Sequence, residues 1–153
     1  MKKLQIKIKK LDGAAILPTY GTPFSAGADL YALCAQSIVI QPGQTVLIHT
    51  GLAFEIPEGY GGFVFARSGL ATKKGLAPAN KVGVIDSDYR GELMIPLHNG
   101  SGVAAVIEHG DRVAQLVFLP CPQADFTTVD VLSDSIRSDG GFGSTGRGAE
   151  TAR

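Results

Sequence analysis

Short apolar runs separated by turn-forming residues are the feature that most constrains how this chain can fold. In residues 4–9, apolar and polar side chains alternate with the two-residue period of a half-buried strand. Clusters such as Pro42-Gly43 and Asn99-Gly100 separate most of the other runs. Those runs are residues 37–40, 45–49, 62–66, 82–85, 92–97, 103–107, 112–119 and 126–132. Many short strands at this spacing predict an all-β sandwich, barrel or jelly roll.

Two segments depart from the strand pattern. Residues 68–74 predict one short helix, in which Ser68 would cap the start and Gly75 would end it. Beyond Ser135 the chain is rich in glycine and small polar residues and cannot bury itself. We therefore expect a β-rich domain at residues 1–136 and a mobile C-terminal arm at residues 137–153.

Composition limits the classes of partner. The 153 residues fit one domain, and 14 basic residues balance 14 acidic ones, so nucleic acid and anionic membranes are not expected partners. No apolar run approaches the roughly 18 residues of a membrane span. Cys34 and Cys121 lie outside any CxxC pattern, which predicts free thiols in a reducing compartment and a cytoplasmic location.

The segment 137–146 has the composition of a lid over a phosphorylated, flat-ringed ligand. Its glycines would let main-chain N–H groups converge on phosphate oxygens, while Arg137 could bind the same oxygens bidentately. Phe142 offers a ring on which a base could stack. The alternative is a solvated, disordered tail, although a lone phenylalanine has little use there.

The segment 80–92 reads as a strand, an acidic turn and a second strand, arranged as a hairpin. The apolar residues 83–85 lead directly into Asp86, where burial could raise the pKa of the carboxyl group and make it a usable base. Tyr89 would lie within reach of the same pocket. The alternatives are a solvated turn for Asp86 and a core or interface position for Tyr89.

Three further segments carry weaker signals. Arg67, Ser68 and Gly69 could cradle a phosphate, although such a tripeptide also occurs by chance. Asp29, between small and apolar residues, could hold a hydrated Mg²⁺ or merely start a strand, and the second interpretation is favoured. Residues 110–115 look like a turn that feeds a strand, with Gln115 as an amide that could fix a water molecule.

Taken together, five of these segments, in this order and at these separations, resemble the five motifs of the trimeric dUTP diphosphatases, or dUTPases. The matching segments are residues 26–32, 67–70, 83–92, 110–115 and 140–146. The resemblance implies a jelly-roll-like β-clip fold and a homotrimer with active sites at the subunit interfaces. It also implies Mg²⁺-dependent hydrolysis of dUTP to dUMP and pyrophosphate, which limits uracil incorporation into DNA and supplies dUMP for thymidylate synthesis.

The same resemblance assigns residue roles. Asp86 would activate the water that attacks the α-phosphate, and Asp29 would hold Mg²⁺ through water. Tyr89 would exclude a ribose 2′-hydroxyl, and Phe142 would stack on the uracil as the tail closes. The implied substrate-binding residues are Arg67, Ser68, Gly69, Asn80, Gly83, Val84, Ile85, Asp86, Tyr89, Met94, Gln115, Arg137, Phe142, Gly143, Ser144 and Thr145.

Two departures from the family pattern and two alternative functions stay open at this point. Ala66 stands where a proline often precedes the Arg-Ser-Gly segment, and Ser138-Asp139 stands where a glycine commonly follows the tail arginine. The second change adds a carboxylate beside the triphosphate and bears on closure of the tail. The alternative functions are a dCTP deaminase of the same superfamily and a non-catalytic, regulatory dUTP-binding trimer.

Overall fold

The computed structural model describes residues 4–136, 138 and 139, and the chain divides into two compact units, Met1–Gln123 and Ala124–Arg153. The first unit contains the regular elements. In chain order they are β1 (Lys7–Lys10), β2 (Thr19–Tyr20), β3 (Ala28–Tyr31), β4 (Ile38–Ile40), β5 (Thr45–Glu55), β6 (Tyr60–Phe65), α1 (Ser68–Lys74), β7 (Leu76–Pro78), β8 (Gly83–Ile85), β9 (Glu92–Asn99), β10 (Ala105–Ile107) and β11 (Arg112–Pro120).

The strands form three antiparallel sheets. A five-stranded sheet has the order β2-β3-β11-β6-β8, a four-stranded sheet has the order β1-β5-β9-β7, and β4 pairs with β10. The all-β prediction is therefore confirmed. Among the described residues, no helix has the length and apolar character needed to cross a membrane.

The hydrophobic core draws side chains from both larger sheets. In β9, the buried Leu93, Ile95 and Leu97 alternate with less buried residues, as expected for a strand with one covered face. They belong to one buried cluster with Leu30 of β3 and Leu116 of β11. Because burying a side chain of this size contributes about 1.5–3 kcal/mol, this cluster supplies much of the stability of the fold.

The short helix α1 occupies the predicted residues, but its cap differs from the prediction. Arg67, with extended backbone angles of φ −84° and ψ 127°, is the N-cap residue, and no side chain caps this end. The expectation that Ser68 caps the helix is wrong, because Ser68 already lies in the first turn. Gly75 ends the helix in the left-handed conformation, with φ 66°, as predicted.

Two strand predictions need correction. The strand predicted at residues 126–132 is wrong, because these residues form no strand. A strand requires a hydrogen-bonded neighbour, and the described part of the second unit, Ala124–Arg153, does not supply one. The expected hairpin at residues 80–92 is also wrong. Its two strands join different sheets, because β8 pairs with β6 whereas β9 pairs with β5 and β7.

Gly51 is a position where the backbone requires glycine. Its φ is 67°, and an added Cβ would lie 2.6 Å from Leu33 Cδ2 and 2.9 Å from Ala15 Cβ. We expect Gly51→Ala to lower the free energy of unfolding by about 2–4 kcal/mol, from backbone strain and overpacking together. Urea unfolding measures this loss.

Gly43 supplies the matched control for this prediction. Its φ is 76°, but an added Cβ would meet nothing within 4 Å. Gly43→Ala should therefore cost only the backbone strain of about 1–2 kcal/mol. Equal losses in the two variants would show that the close contacts at Gly51 do not matter.

Candidate active site

Three segments bring charged side chains together on the outward face of the five-stranded sheet. Asp29 lies on β3, Arg67 follows β6, and Arg112 begins β11. The Arg67 Nε–H donates to Asp29 Oδ1 at 2.7 Å, and Arg112 Nη1 donates to Asp29 Oδ2 at 3.2 Å. The Asp29 side chain is only 14% exposed, and the group of one carboxylate and two guanidiniums carries a net positive charge. Such a group can bind an anion.

Gln115 lies in the same row of the sheet and supports this cluster. It pairs with Asp29 on one side and with Phe65 on the other. Its Nε2 donates to the carbonyl oxygen of Ala66 at 2.9 Å, which ties down the backbone just before Arg67. An added Cβ at Gly27 would lie 2.8 Å from Gln115 Oε1, so only glycine leaves room for this amide.

The predicted base, Asp86, lies in the turn after β8. The Tyr89 N–H donates to the Asp86 carbonyl oxygen at 3.2 Å, which closes the turn. The Asp86 side chain is exposed to solvent, so the expected burial of this carboxylate is wrong for the single chain. A cleft of about 950 Å³ lies beside it, and its walls include Tyr60, Ile85 and Cys121.

The remaining predicted residues discussed with this segment lie before β8 or after it in the chain. Asn80 precedes β8, and its Nδ2 lies 3.2 Å from the position of an added Cβ at Gly83, so its amide covers that glycine. The Tyr89 hydroxyl donates to the Glu92 carbonyl oxygen at 3.0 Å. Met94 lies on β9 in the four-stranded sheet and pairs with His49.

The chain does not bring Asp86 and Arg67 together. Ile85 pairs with Gly62, so Asp86 is level with Gly61 at the start of β6, whereas Arg67 follows the end of that strand. At a rise of about 3.3 Å per residue, the backbone from Gly61 to Arg67 spans about 20 Å. The positive cluster and the predicted base therefore lie at opposite ends of one strand.

Arg112 is the residue of this cluster that sequence reasoning missed. Its carboxylate partner is Asp29 rather than its neighbour Asp111, whose Oδ2 accepts from the Glu108 N–H at 2.9 Å. The contact between Arg112 and Asp29 follows from the strand pairing, which is not visible in the sequence. The predicted tail residues Arg137, Phe142, Gly143, Ser144 and Thr145 lie outside the described residues.

Glu92, at the start of β9, holds the bend in β5. His49 Nδ1–H donates to Glu92 Oε2 at 2.9 Å, and the Gly51 N–H donates to Oε1 at 2.8 Å. Burial acts to raise the pKa of Glu92, but the hydrogen bond from His49, the one from the Gly51 amide and the attraction of His49 together lower it below its ordinary value.

This lowered pKa makes the stability dependent on pH. A glutamate whose pKa falls on folding contributes fully above its ordinary pKa and loses that contribution as the pH drops through the lowered value. We expect Glu92→Gln to cost about 1 kcal/mol at pH 7, and the difference from the wild type to shrink towards about pH 3. Urea unfolding at both pH values measures it. The exposed Glu108→Gln is the control, and a loss at Glu92 independent of pH would contradict the prediction.

Fold and site together define the class, an all-β protein with a positively charged cluster on one sheet, and three comparisons with known proteins identify the family. The dUTPase family model matches residues 14–146. The deoxyuridine 5′-triphosphate nucleotidohydrolase of Desulfitobacterium hafniense is 53% identical over 145 residues, which cover 94% of this chain and 96% of the relative. The enzyme of the same name from Syntrophotalea carbinolica is 46% identical, with 95% and 99% covered.

A solved structure gives the same result at the level of the fold. The dUTPase of Staphylococcus bacteriophage 80alpha with dUPNHPP superposes with a TM-score of 0.86 at 29% identity, over 94% of this chain and 99% of that one. This chain therefore belongs to the dUTPase family. It is a dUTP diphosphatase, an enzyme that hydrolyses dUTP.

Proposed function

We propose that the chain hydrolyses dUTP to dUMP and pyrophosphate in sites that form between copies of a homotrimer, with Asp86 as the base that activates water. This proposal rests on one separation: along β6, the backbone spans about 20 Å from Gly61, which is level with Asp86, to Arg67. One chain cannot place both groups on one α-phosphate. Two copies can, if the turn of one meets the positive cluster of the next.

The positive cluster would bind the triphosphate. Arg67 uses its Nε on Asp29 and Nη1 on the Arg112 carbonyl oxygen, which leaves further N–H donors for phosphate oxygens. Ser68 and Gly69 follow at the exposed start of α1, where a hydroxyl and main-chain N–H groups would add donors. Gln115 would act next to them, directly or through water.

The end of the sheet that carries β8 would bind the base and the sugar of the nucleotide. Strand β8 is the edge of its sheet and pairs only with β6 among the described strands, so every second N–H and C=O points away from the ladder. These groups, with the Asn80 amide, would match the donors and acceptors of uracil and mismatch those of cytosine. Tyr89 would pack under the deoxyribose.

The described residues contain no group of three or more His, Cys, Asp or Glu that could hold a metal ion, and both oxygens of Asp29 accept hydrogen bonds from arginine. This donor set fits an ion carried by the substrate phosphates and water, which Asp29 would reach through water with its remaining lone pairs. When bound, Mg²⁺ would neutralise charge on the triphosphate.

One exposed and two half-buried apolar side chains on the same sheet face support assembly. Val84 on β8 is 62% exposed and pairs with Phe63, which in turn pairs with Val117 on β11. Cross-strand partners share one face of a sheet, so the three side chains form an outward apolar row between the two ends of the site. Packing of a second copy would cover this row and bury the exposed Asp86.

Hydrolysis of an equimolar mixture of dUTP, UTP, dCTP and dTTP with Mg²⁺ tests the proposed specificity. Loss of dUTP alone, with dUMP and pyrophosphate as products, is the expected result. Conversion of dCTP would point to the deaminase alternative, and an unchanged mixture would point to a regulatory binding trimer.

Hydrolysis of dUTP would limit the incorporation of uracil into DNA and supply dUMP for thymidylate synthesis. The C-terminal residues 137–153 would close over the site.

A further inference from the structure

Arg112 lies at a β-bulge that changes the face of the sheet on which it appears. Gln115 pairs with Asp29, and an uninterrupted ladder from that pair would place Arg112 opposite Ala32. The register shifts instead, and Arg112 pairs with Tyr31. Because side chains alternate along a strand, Tyr31 shares the face of Asp29, so the bulge brings Arg112 onto that face.

The contacts of Arg112 converge on Arg67 by two routes. Its Nη1 donates to Asp29 Oδ2 at 3.2 Å, while Arg67 Nε donates to the other oxygen of the same carboxylate at 2.7 Å. The Arg112 carbonyl oxygen also accepts from Arg67 Nη1 at 3.4 Å. A carboxylate held at one oxygen can rotate about its last bond, whereas one held at both oxygens keeps a fixed plane.

We infer that Arg112 is a positioning residue for Arg67. By holding the second oxygen of Asp29, Arg112 fixes the carboxylate that directs the Arg67 guanidinium towards phosphate. This role rests on the proposed function, which places Arg67 against the triphosphate. Arg112 itself stays at the margin of the cluster, where its side chain is 52% exposed.

The affinity for dUPNHPP, measured by calorimetry, tests this inference. Arg112→Gln should weaken binding about tenfold, because a charge-assisted contact that orders Arg67 is lost. Arg112→Lys should keep most of the affinity, since an ammonium group can still pair with Asp29. Lys7→Gln, which removes a charge from the exposed Lys7–Glu55 pair, is the control and should bind like the wild type.

A double-mutant cycle separates positioning from direct binding. In the Arg67→Gln background, Arg112→Gln should add little, because the residue that it positions is already absent. Additive losses would show that Arg112 acts on the ligand independently and would overturn the inference. Unchanged affinity of Arg112→Gln alone would overturn it as well.

A ligand-free measurement distinguishes failure of this inference from failure of the proposed function. The Arg67 Nε–H signal in ¹⁵N NMR reports its hydrogen bond to Asp29, with or without nucleotide. Arg112→Gln should shift this signal and speed its exchange with water, and an unchanged signal would refute the positioning role. Wild-type affinity in Arg67→Gln would instead refute the proposed phosphate contact while leaving the positioning result intact.

Discussion

Asp86→Asn is expected to lower kcat for dUTP about 1,000-fold, within the range by which a positioned general base accelerates a reaction. The substitution keeps the size of the side chain but removes the group that accepts a proton from water. It should leave the fold intact, because the Asp86 carbonyl oxygen, not the carboxylate, accepts the hydrogen bond from Tyr89. Pyrophosphate release at saturating dUTP measures the effect.

The control for this variant lies two residues further along the chain. Asp88 is also exposed in this turn, and Asp88→Asn makes the same chemical change without removing the proposed base. It should cost far less activity. Asp86→Asn should also bind dUPNHPP with wild-type affinity, which separates loss of chemistry from loss of binding. Turnover close to that of the wild type would remove Asp86 from the role of base.

Mixing two inactive variants should restore activity. Asp86→Asn lacks the base and Arg67→Gln lacks the phosphate contact, but a site between copies takes one group from each chain. Random reassembly of equal amounts should therefore give about a quarter of sites with both groups intact. Reassembly after denaturation, followed by a dUTP hydrolysis assay, measures the recovered fraction.

Two controls define the interpretation of that recovery. Each variant, denatured and reassembled alone, should remain inactive. A mixture that is never denatured should stay near background if the subunits do not exchange. Absence of recovery in reassembled, oligomeric protein would mean that each site lies within one chain, and the proposed arrangement of Asp86 and Arg67 would then be wrong.

Local sequence patterns predicted most of the strands, because alternation and turn residues act within a few positions. The run at residues 92–97 predicted β9, in which Leu93 and Ile95 are buried. The favoured strand at Asp29 is confirmed as β3, whereas β2 and β7 were not predicted, since runs of two or three residues are too short to display a period. Their existence depends on neighbours that are distant in sequence.

The identity of the site residues was easier to predict than their arrangement in space. Asp29, Arg67 and Gln115 meet although they are far apart in the chain, and the family resemblance alone had grouped them. The bulge that adds Arg112 depends on strand register, which composition does not encode. The exposure of Asp86 in the single chain could not be predicted either, because the proposed cover of this carboxylate belongs to another copy of the chain.

The distance along β6 between the level of Asp86 and Arg67 also has a consequence for gene dosage. If every site joins halves of two chains, dilution that separates the copies turns the enzyme off without unfolding it, and specific activity rises with concentration. A cell that expresses an intact allele and one whose chains assemble but lack both groups would keep about a quarter of its sites rather than half, because each such chain spoils the two sites that it shares with its neighbours. An allele that lacks only one of the two groups would cost only half of the sites.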